Sequence, residues 1–570
     1  MLIGLLCLFF VDGFQLLMPR IIQHGVDALS YGRATASLML KLAGFIMLLA
    51  VGVVVTRFFW RYLIIGISRR MEKRMRMHYY KHLLLLSPSW YSKHKVGDLM
   101  ALATNDLDAV RMMVGIGMVA TFDAGFLMLA SLGMMIYLNP KLTLYVILPL
   151  PVLSVIVGYF GRILHRRFKK VQETFALMTD RVREIISGIR VVKSYAREDF
   201  ETGRFRIMSK DYIRKSIRMV VIGGMFEPMI GFVIGFSFAL VLLLGGRSVI
   251  LASMSMGEFV AFNSYLGLLI WPMIAVGWVL NLYQRGRASL DRIVDVMEQK
   301  ADIVDSDDAV ELAEDDTGKI KGNVEFKDLT FTYDPELEPV LKDINCNIER
   351  GECMGITGRT GCGKTTLVSL IPRLFDPPDN SVFIEGVDIR KVKLKSLRNP
   401  IGFVPQDSFL FSATLMENIK FGNYDATDDE AMKAAEIAQL DKDIENFPDG
   451  YETTVGERGV TLSGGQKQRM AIARALLIDP SILILDDALS AVDTETESAI
   501  LSRLQNARKN RTTIIISHRI SALQNTDRII VLDDGRIIET GAHEELLKKD
   551  GYYTELYKIQ QIESELGVER

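Results

Sequence analysis

The stretch LSGGQKQRMAIARALLIDPSILILDD, residues 462–487, decides the fold of this chain. It ends in an apolar run, Ser481–Leu485, that is followed at once by two carboxylates, Asp486 and Asp487. A buried strand of this kind can hold a carboxylate against a Mg²⁺ ion that accompanies phosphate groups. The stretch therefore predicts a strand of an α/β domain whose last residue, Asp486, is a metal ligand.

Such a strand works together with a loop that binds phosphate, and the chain contains one earlier. The segment GRTGCGKT, residues 358–365, matches the pattern G-x-x-x-x-G-K-[ST], with an apolar run before it and a helical pattern after it. Its glycines allow backbone N–H groups to surround phosphate oxygens, Lys364 neutralises phosphate charge, and the Thr365 hydroxyl is offered to Mg²⁺. The predicted phosphate-binding residues are Gly358, Arg359, Thr360, Gly361, Cys362, Gly363, Lys364, Thr365 and Thr366.

The pentapeptide LSGGQ lies between the phosphate loop and the strand that ends in Asp486. In that position it resembles the signature of ATP-binding-cassette (ABC) ATPases, and the resemblance extends over essentially the whole chain. In this family the signature of one subunit caps the ATP held by the phosphate loop of another. The resemblance implies that ATP and Mg²⁺ are the cofactors and that the signature acts on the ATP of a partner. The signature residues concerned are Ser463, Gly464, Gly465 and Gln466.

Other positions resemble further motifs of the family, and their roles are what the resemblance implies. Tyr333 resembles the aromatic residue that stacks on adenine, and Gln406 resembles the glutamine that touches Mg²⁺ and senses the membrane domain. His518 resembles the switch histidine near the γ-phosphate. The stretch 454–459, TVGERG, is similar to a loop specific to exporters, and 490–493, SAVD, resembles the loop that contacts the other subunit.

Asp487 departs from the family pattern. With Gln406 and His518 it forms the predicted catalytic set, but most active ABC ATPases have Glu here, as the base that polarises the attacking water. Aspartate withdraws the carboxylate by one C–C bond, about 1.5 Å, and a general base has to lie within hydrogen-bonding reach of its water. Since general-base catalysis contributes about 10²–10⁴ in rate, the sequence predicts a site that binds ATP and hydrolyses it slowly. The alternative is that backbone shifts compensate for the shorter side chain.

Composition indicates a membrane part in addition to this ATPase. The chain has 570 residues, too many for one domain, of which 49% are hydrophobic and 24% charged. Apolar runs long enough to cross a hydrocarbon core of about 30 Å are confined to the part before residue 300, and six of them return the chain to its starting side. They lie at about 1–23, 38–66, 114–138, 141–163, 219–245 and 257–280.

The connections between these runs indicate an orientation. Two of them, Ser68–Arg111 and Arg162–Arg218, are long and rich in Lys and Arg, whereas the opposite ones are short and nearly uncharged. By the positive-inside rule the long ones face the cytoplasm together with the ATPase, which predicts a multi-pass protein of the cytoplasmic (inner) membrane. The net charge of −2 argues against a nucleic-acid footprint. We therefore expect membrane lipid and a hydrophobic or amphipathic substrate as contacts, and no nucleic acid.

The expected fold is an all-α membrane domain of six helices with long cytoplasmic helical extensions, followed by an α/β P-loop ABC ATPase domain. The predicted boundaries are 1–297 for the membrane domain, 298–321 for a linker and 322–570 for the nucleotide-binding domain. At the tips of the two long extensions, 105–110 and 195–201 resemble the coupling helices of ABC exporters.

Two features of the membrane half leave alternatives open. The N-terminal run has no basic segment and no convincing cleavage site, so we expect a span rather than a removed signal. Ionisable or amide side chains within the runs are costly in lipid and should face the interior, where they either line a pathway or form hydrogen bonds between helices. They include Asp12, Arg57, Asp123, Glu227 and Asn281.

The four cysteines have neither the spacing of a metal site nor that of an extracellular disulfide framework. Three of them, Cys346, Cys353 and Cys362, fall in the ATPase half, which is a reducing setting. Because Cys362 lies within the phosphate loop, the sequence predicts that bulky thiol reagents interfere with ATP binding.

The leading hypothesis is a half-transporter that exports amphipathic drugs or lipids. It would pair with a different half-transporter that carries Glu where this chain has Asp487. One alternative is a homodimeric lipid flippase with two slow sites, which would turn over ATP without any partner. Another, from a different class, is an ATP-gated regulator or channel; such proteins typically carry regulatory insertions, and the sequence shows none.

Overall fold

The structure is a computed structural model that divides into two compact units. The first comprises Met1–Leu84 with Val96–Gln299, and the second comprises Leu85–Lys95 with Lys300–Arg570. The residues described are 1–314, 319–456 and 462–565, without the side chains of 150–154, 156–157, 226–227 and 564. The Glu227 side chain and the 457–459 part of the predicted exporter loop therefore lie outside the described residues.

The first unit is helical, and its longest helices continue well beyond the predicted spans. Within the described residues, five helices are long and apolar enough to cross a membrane: Leu2–Ser30, Ala36–Leu83, Val96–Leu138, Glu198–Ile250 and Met256–Met297. Ala36–Leu83 has 48 residues. At 1.5 Å per residue it is about 72 Å long, more than twice the thickness of a hydrocarbon core. The expected helical domain with long extensions is thereby confirmed.

The predicted span at 141–163 is divided between two helices of this unit. Further helices lie at Pro140–Ile147, Leu150–Ser187 and Ile189–Ser194. The long helices also contain short π-helical turns, at Arg61–Ile65, Leu102–Asp106, Met113–Gly117 and Val241–Gly245. Because the side chains of 150–154 and 156–157 are not described, the sixth span stays a prediction.

The first long extension does not turn where the sequence predicted. Residues 105–110 lie inside the helical segment Val96–Leu138. There the Asp106 carboxylate accepts hydrogen bonds from Ser289 Oγ at 2.9 Å and from Arg292 Nη2 at 2.6 Å, both on the last long helix. The prediction of a tip at 105–110, which rested on a resemblance to coupling helices, is therefore wrong, because these residues continue a helix and pair with the last long helix.

The chain turns instead between Leu83 and Val96, around the short helix Pro88–Lys93. A proline disfavours the helical conformation in the residue before it, and Ser87 is accordingly extended, with φ −75° and ψ 157°. In the second extension, the turn between the helices Ile189–Ser194 and Glu198–Ile250 falls within the predicted segment 195–201.

The second unit is an α/β domain, which confirms the expected class of the ATPase half. Its strands are β1 (Val324–Phe331), β2 (Leu341–Ile348), β3 (Cys353–Gly358), β4 (Val382–Ile384), β5 (Val387–Asp388), β6 (Ile401–Val404), β7 (Ala413–Thr414), β8 (Thr454–Val455), β9 (Ile482–Asp486), β10 (Thr512–Ile516), β11 (Arg528–Asp533) and β12 (Arg536–Gly541). They form sheets of order β2-β1-β4-β5, β12-β11-β3-β10-β9-β6 and β7-β8.

The six-stranded sheet positions the functional residues. Its strands are parallel except for β12, and every residue of β9 and β10 is buried, as expected for continuous apolar runs in a parallel sheet. The register pairs Asp486 at the end of β9 with Ile516 at the end of β10, while neighbouring β3 ends at Gly358. Because parallel strands end at the same edge, the phosphate loop and the carboxylates meet there.

Helices flank the sheets of this unit. They are Lys364–Leu370, Leu394–Arg398, Leu415–Lys420, Asp428–Ile437, Asp441–Glu445, Gly464–Leu477, Thr494–Ala507, His543–Lys548 and Tyr552–Glu565. We call Gly464–Leu477 the signature helix and Tyr552–Glu565 the C-terminal helix. The signature helix begins with a capping box in which Gln466 N donates to Ser463 Oγ and Ser463 N donates to Gln466 Oε1.

Candidate active site

A cavity of about 170 Å³ lies at the carboxyl edge of the central sheet, where β3, β9 and β10 end. It brings together residues that are far apart in the sequence. The predicted site residues that line it are Thr360, Gly361, Gly363, Lys364, Thr365, Thr366, Gln406, Asp486, Asp487 and His518, and Val340 and Ile516 complete the lining.

The phosphate loop has a backbone conformation that requires glycine at two points. The φ angle is +142° at Gly358 and +101° at Gly363, a region that residues with a side chain rarely adopt. A Cβ atom at Gly363 would lie 2.8 Å from Leu341 Cδ2, and one at Gly358 would collide with the carbonyl oxygen of Leu532. These glycines let the loop pass close to β2 and β11, so that its backbone N–H groups can approach an anion.

Lys364 is held inside the loop that it belongs to. Its side chain is buried, and Nζ donates to the carbonyl oxygens of Gly358 at 2.9 Å and Arg359 at 2.8 Å. Burial lowers the pKa of Lys364, and the carboxylates of Asp486 and Asp487 act in the opposite direction. The Lys364 ammonium would form a stronger hydrogen bond with a charged phosphate oxygen than with these neutral carbonyls, because hydrogen bonds between two charged groups are stronger.

Asp486 and Thr365 are joined by a hydrogen bond in the lining of the cavity. Asp486 is 1% exposed, and its Oδ1 accepts a hydrogen bond from Thr365 Oγ1 at 3.0 Å. Burial raises the pKa of Asp486, the Thr365 hydrogen bond lowers it, and the charge of Asp487 raises it further. A cation bound next to this buried carboxylate would stabilise its ionised form.

The donor set at this point fits Mg²⁺. Thr365 supplies a hydroxyl, Asp486 a carboxylate and Gln406 an amide oxygen, and such oxygen ligands suit a hard cation. Among the described residues there is no group of three or more His, Cys, Asp or Glu side chains that could hold a metal ion. The remaining ligands would thus come from phosphate and water, as is usual for Mg²⁺, which keeps several waters and binds through few carboxylates.

Asp487 follows β9 in an unusual conformation. Its φ angle is +48°, in the left-handed region that Asp and Asn tolerate better than most residues. Its N–H donates to the carbonyl oxygen of Ile516 at 3.0 Å, which fixes it to the end of β10. The side chain lines the cavity with Lys364, and the residue is partly buried.

Two side chains bind the carbonyl of Asp487 from its other side: Ser490, the first residue of the predicted 490–493 loop, and Gln468, which the sequence analysis did not single out. Gln468 Nε2 donates to Asp487 O at 3.3 Å and to Ser490 Oγ at 3.0 Å, and Ser490 Oγ donates to the same carbonyl at 2.9 Å. Gln468 Oε1 also accepts from Ala491 N at 2.9 Å. Gln468 lies only two residues beyond the signature, but its role depends on backbone atoms that a sequence pattern does not reveal.

His518 lies in the loop after β10 and is half-buried beside Lys364. Burial lowers the pKa of His518, and the nearby Lys364 charge lowers it further. The imidazole is therefore neutral at pH 7, and one ring nitrogen can donate to an anion while the other accepts. The neighbouring Arg519, another residue that sequence reasoning missed, donates from Nη1 to Val492 O at 2.7 Å and from Nη2 to Ser490 O at 3.0 Å.

The signature does not contribute to this cavity: within the described part of the chain, none of its residues belongs to the lining. Ser463 and Gly464 are exposed, while Gly465 is buried against the 490–493 loop. A Cβ atom at Gly465 would lie 2.7 Å from the carbonyl oxygen of Ala491. The signature thus packs on that loop and presents Ser463 and Gly464 to the surroundings of this ATPase unit.

Tyr333 lies beside the phosphate loop. Its hydroxyl is 2.8 Å from Thr366 Oγ1, and its ring makes edge-to-face contacts with Phe331 at 5.1 Å and with Phe375 at 5.0 Å. The side chain remains 45% exposed, so that ring surface is accessible beside the loop. This exposed ring is compatible with the predicted stacking on adenine.

Cys362 is less accessible than its place in the sequence suggests. The residue is 6% exposed, and Sγ lies 3.8 Å from Lys364 Nζ. Burial raises the pKa of the Cys362 thiol, although the Lys364 charge acts in the opposite direction. Because the thiolate is the reactive form, we expect modification of this residue at neutral pH to be slow.

The fold and this site define a class: a P-loop ATPase joined in one chain to a helical membrane unit. Residues 1–273 match the family described as the ABC transporter transmembrane region, and residues 341–490 match the family described as ABC transporter. The chain belongs to the ABC exporters in which both parts are fused.

Its similarity to individual proteins extends over nearly the full length. It is 40% identical to the "Probable multidrug resistance ABC transporter ATP-binding/permease protein YheI" of Bacillus subtilis, over 98% of this chain and 95% of that protein. It is 38% identical to the "Multidrug resistance-like ATP-binding protein MdlA" of Escherichia coli, over 97% and 92%. An "ATP-dependent lipid A-core flippase" of Syntrophus aciditrophicus is 36% identical, over 88% and 82%.

A solved structure extends the likeness to three dimensions. The "Structure of a bacterial Atm1-family ABC exporter with ATP bound" superposes with a TM-score of 0.79 and 26% identity, over 98% of both chains. Together these findings show an ATP-hydrolysing translocase of the ABC exporter type. An ABC ATPase domain of this type binds ATP, normally with Mg²⁺.

Proposed function

We propose that this chain is one half of a heterodimeric ABC exporter that moves amphipathic small molecules out across the cytoplasmic membrane, with a slow ATP site of its own. The observation that carries the proposal is Asp487, whose short carboxylate occupies the position of the water-polarising base at the end of β9. The partner would carry Glu at the corresponding position. The basic extensions support a cytoplasmic place for the ATPase.

The site has the parts needed to hold the nucleotide. The loop glycines and Lys364 bind the phosphates, and Tyr333 offers its exposed ring to the adenine. When bound, Mg²⁺ would be held by Thr365, Asp486 and Gln406 and would neutralise charge on the β- and γ-phosphates. His518 donates to the γ-phosphate, while the signature of the partner chain closes the cavity from outside.

The proton of the attacking water is where this site falls short. Asp487 has to accept it, and its carboxylate is one C–C bond shorter than that of Glu, about 1.5 Å. A backbone shift could compensate only if Asp487 were free to move. Its N–H is bonded to Ile516 O and its carbonyl to Gln468 and Ser490. We therefore expect slow hydrolysis rather than a relocated base.

In the assembled dimer, the efficient site would combine the signature of this chain with the phosphate loop and Glu of the partner. Closure of the two ATPases on two ATP molecules would turn the substrate cavity outward, and hydrolysis at the efficient site would reset it. The site built on Lys364 and Asp487 would hold its ATP for longer. The asymmetry follows from one methylene group.

The relatives support two classes of cargo. Those with multidrug names cover more of the chain than the flippase relatives do, and they favour amphipathic drugs. The flippase relatives favour the second candidate, a homodimeric lipid flippase with two identical sites. A third candidate, from a different class of protein, is an ATP-gated regulator or channel. Such a protein would show ATP-dependent conductance without substrate-stimulated ATP turnover, whereas a pump would show substrate-stimulated turnover.

The test is ATP turnover of the purified chain in lipid nanodiscs, alone, beside Asp487→Glu. Restoring the reach of the base should raise turnover at least tenfold, a part of the about 10²–10⁴ that general-base catalysis contributes. Asp550→Glu is the matched control, because Asp550 also has a φ angle of +48° and its side chain is 87% exposed. Brisk wild-type turnover that Asp487→Glu leaves unchanged would overturn the slow-site proposal and favour the homodimer.

A further inference from the structure

The C-terminal helix binds the loop that carries His518 through a single side-chain amide. Gln560 Nε2 donates to the carbonyl oxygen of His518 at 2.6 Å, and Gln560 Oε1 accepts from the N–H of Ile520 at 2.9 Å. Both polar atoms of the amide are therefore used on the same loop. This is the pairing that a neighbouring strand would otherwise give to an extended segment.

The loop needs such a partner because β10 ends at Ile516. Beyond that point its backbone no longer pairs with the sheet, apart from Ser517 N, which donates to Ile356 O at 3.2 Å. Arg519 N donates to Ser517 Oγ at 2.9 Å, which closes a local turn around His518. Gln560 satisfies the backbone groups on either side of Arg519.

Arg519 ties the loop down on its opposite side. Its guanidinium donates to the carbonyls of Ser490 and Val492 and forms an ion pair with Glu497 at 2.7 Å. Glu497 is 1% exposed, so the anchor is rigid. The loop is thus held between the 490–493 loop on one side and Gln560 on the other.

The same helix also contacts the phosphate loop. The guanidinium carbon of Arg359 lies 5.7 Å from the ring centre of Tyr552, at the helix start, which is a cation–π distance. One helix therefore contacts both the loop that binds phosphate and the loop that carries His518.

We propose that Gln560 is a positioning residue for ATP hydrolysis: it fixes the backbone of the His518 loop so that the imidazole faces the cavity. Gln560 does not belong to the lining of the cavity, and it acts through His518. The inference rests on the proposed role of His518 at the γ-phosphate and adds the residue that holds it there. The C-terminal helix thereby becomes part of the catalytic unit.

The first test measures the clamp directly, without any nucleotide. In Gln560→Ala, hydrogen exchange of the backbone amide of Ile520 should accelerate at least tenfold. The exchange is measured on the full chain by mass spectrometry of a peptide that spans residues 517–523. Gln561→Ala is the matched control, because Gln561 is the same residue type on the same helix and is exposed. Equal exchange in Gln560→Ala and in wild type would overturn the proposal.

The second test asks whether the clamp acts through His518. It uses whichever of the wild type and Asp487→Glu turns over faster. Gln560→Ala should lower kcat about tenfold and leave the dissociation constant of a fluorescent ATP analogue within twofold. Gln560→Glu should resemble Gln560→Ala, since a carboxylate can accept from Ile520 N but cannot donate to His518 O.

The double variant separates positioning from general destabilisation. In a His518→Ala background, Gln560→Ala should produce no further loss of kcat, because the group that it positions is already absent. A further tenfold loss in that background would show a merely structural role and overturn the proposal. The exchange measurement is independent of the turnover comparison at Asp487, since faster exchange at Ile520 can be found whether or not the wild-type site is slow.

Discussion

Thr365 Oγ1 donates to Asp486 Oδ1 at 3.0 Å, and this hydrogen bond joins the phosphate loop to the end of β9. The two residues are far apart in the sequence, but the parallel order of β3, β10 and β9 brings their ends to one edge. Asp486 is almost completely buried, so the bond matters for stability as well as for binding. Replacing Thr365 or Asp486 should therefore change both the stability of the ATPase unit and its affinity for ATP with Mg²⁺, and the two effects can be measured separately.

Thr365→Val keeps the shape of the side chain and removes the hydroxyl. The buried carboxylate of Asp486 then loses its donor, and the free energy of unfolding should fall by about 1–3 kcal/mol. Affinity for ATP in the presence of Mg²⁺ should fall at least tenfold, because a metal ligand is lost. Both are measurable by denaturant unfolding and nucleotide titration. Thr365→Ser retains the hydroxyl and should stay near wild type; equal losses in both variants would contradict the assignment.

Asp486→Asn should have the opposite effect on stability. Burial raises the pKa of Asp486 above 3.8, so at neutral pH the folded state carries a charge that it disfavours. The amide removes that cost, and the Tm of the nucleotide-free protein should rise by about 2–4 °C per kcal/mol gained. The stabilisation by Mg²⁺ and ATP should be lost.

The pH dependence of this effect has a definite sign. A raised pKa contributes stability that is present at low pH and is lost as the pH rises through the folded-state pKa. The advantage of Asp486→Asn should therefore be full above the raised pKa of Asp486 and should shrink as the pH falls toward 3.8. A variant that is less stable than wild type at pH 7.5 would contradict this account.

Alkylation should reach Cys362 only slowly at neutral pH. Burial raises the pKa of the Cys362 thiol above 9.0, so the thiolate fraction and the rate with iodoacetamide should rise about tenfold per pH unit between pH 7 and 9. Burial raises the pKa values of Cys346 and Cys353 to about 11 and about 12, so their thiolates should also be scarce at neutral pH.

Peptide mapping identifies which cysteine is modified, and Cys362→Ser provides the blank. ATP should protect Cys362, because Lys364 and the loop backbone close over it. If bulky reagents abolish ATP binding at pH 7 within the time that small ones need, the loop opens more readily than its burial indicates.

Gly465→Ala tests the contact between the signature and the 490–493 loop. In a helix, Ala is normally more stable than Gly by about 1 kcal/mol. Here the new methyl group would lie 2.7 Å from Ala491 O, and overpacking costs about 1–3 kcal/mol. The clash outweighs the propensity, so we expect a lower Tm. Gly464→Ala, whose Cβ would meet Ala491 Cβ at 3.2 Å, should have a smaller effect, and the reverse order would refute the packing described here.

The sequence predicts best those residues whose chemistry is local. Lys364, Thr365 and Asp486 can be recognised because each belongs to a short motif with a fixed spacing, and the parallel sheet then brings these motifs to one edge. The two-part architecture follows equally well, since apolar runs and alternating strand and helix patterns occupy separate halves of the chain.

The residues that sequence reasoning missed act through backbone atoms. Gln468, Arg519 and Gln560 bind carbonyls and N–H groups of distant loops. No sequence pattern distinguishes them from neighbouring polar residues that make no such contact. The wrong tip at 105–110 has a different cause. The resemblance to a coupling helix did not locate the turn, which follows the helix end at Leu83 and contains Pro88 at the start of the next short helix.

The continuous helix Ala36–Leu83 gives the membrane unit a mechanical property that its residues do not display one by one. A rod of about 72 Å that tilts by about 10° around one end moves its other end by about 13 Å. Its backbone hydrogen bonds lie within the rod, so the two ends are joined by continuous helical backbone, including the π-helical turn at Arg61–Ile65. The helix would act as a lever: a movement of about an ångström close to the pivot becomes a displacement of about a nanometre at the far end, with correspondingly less force.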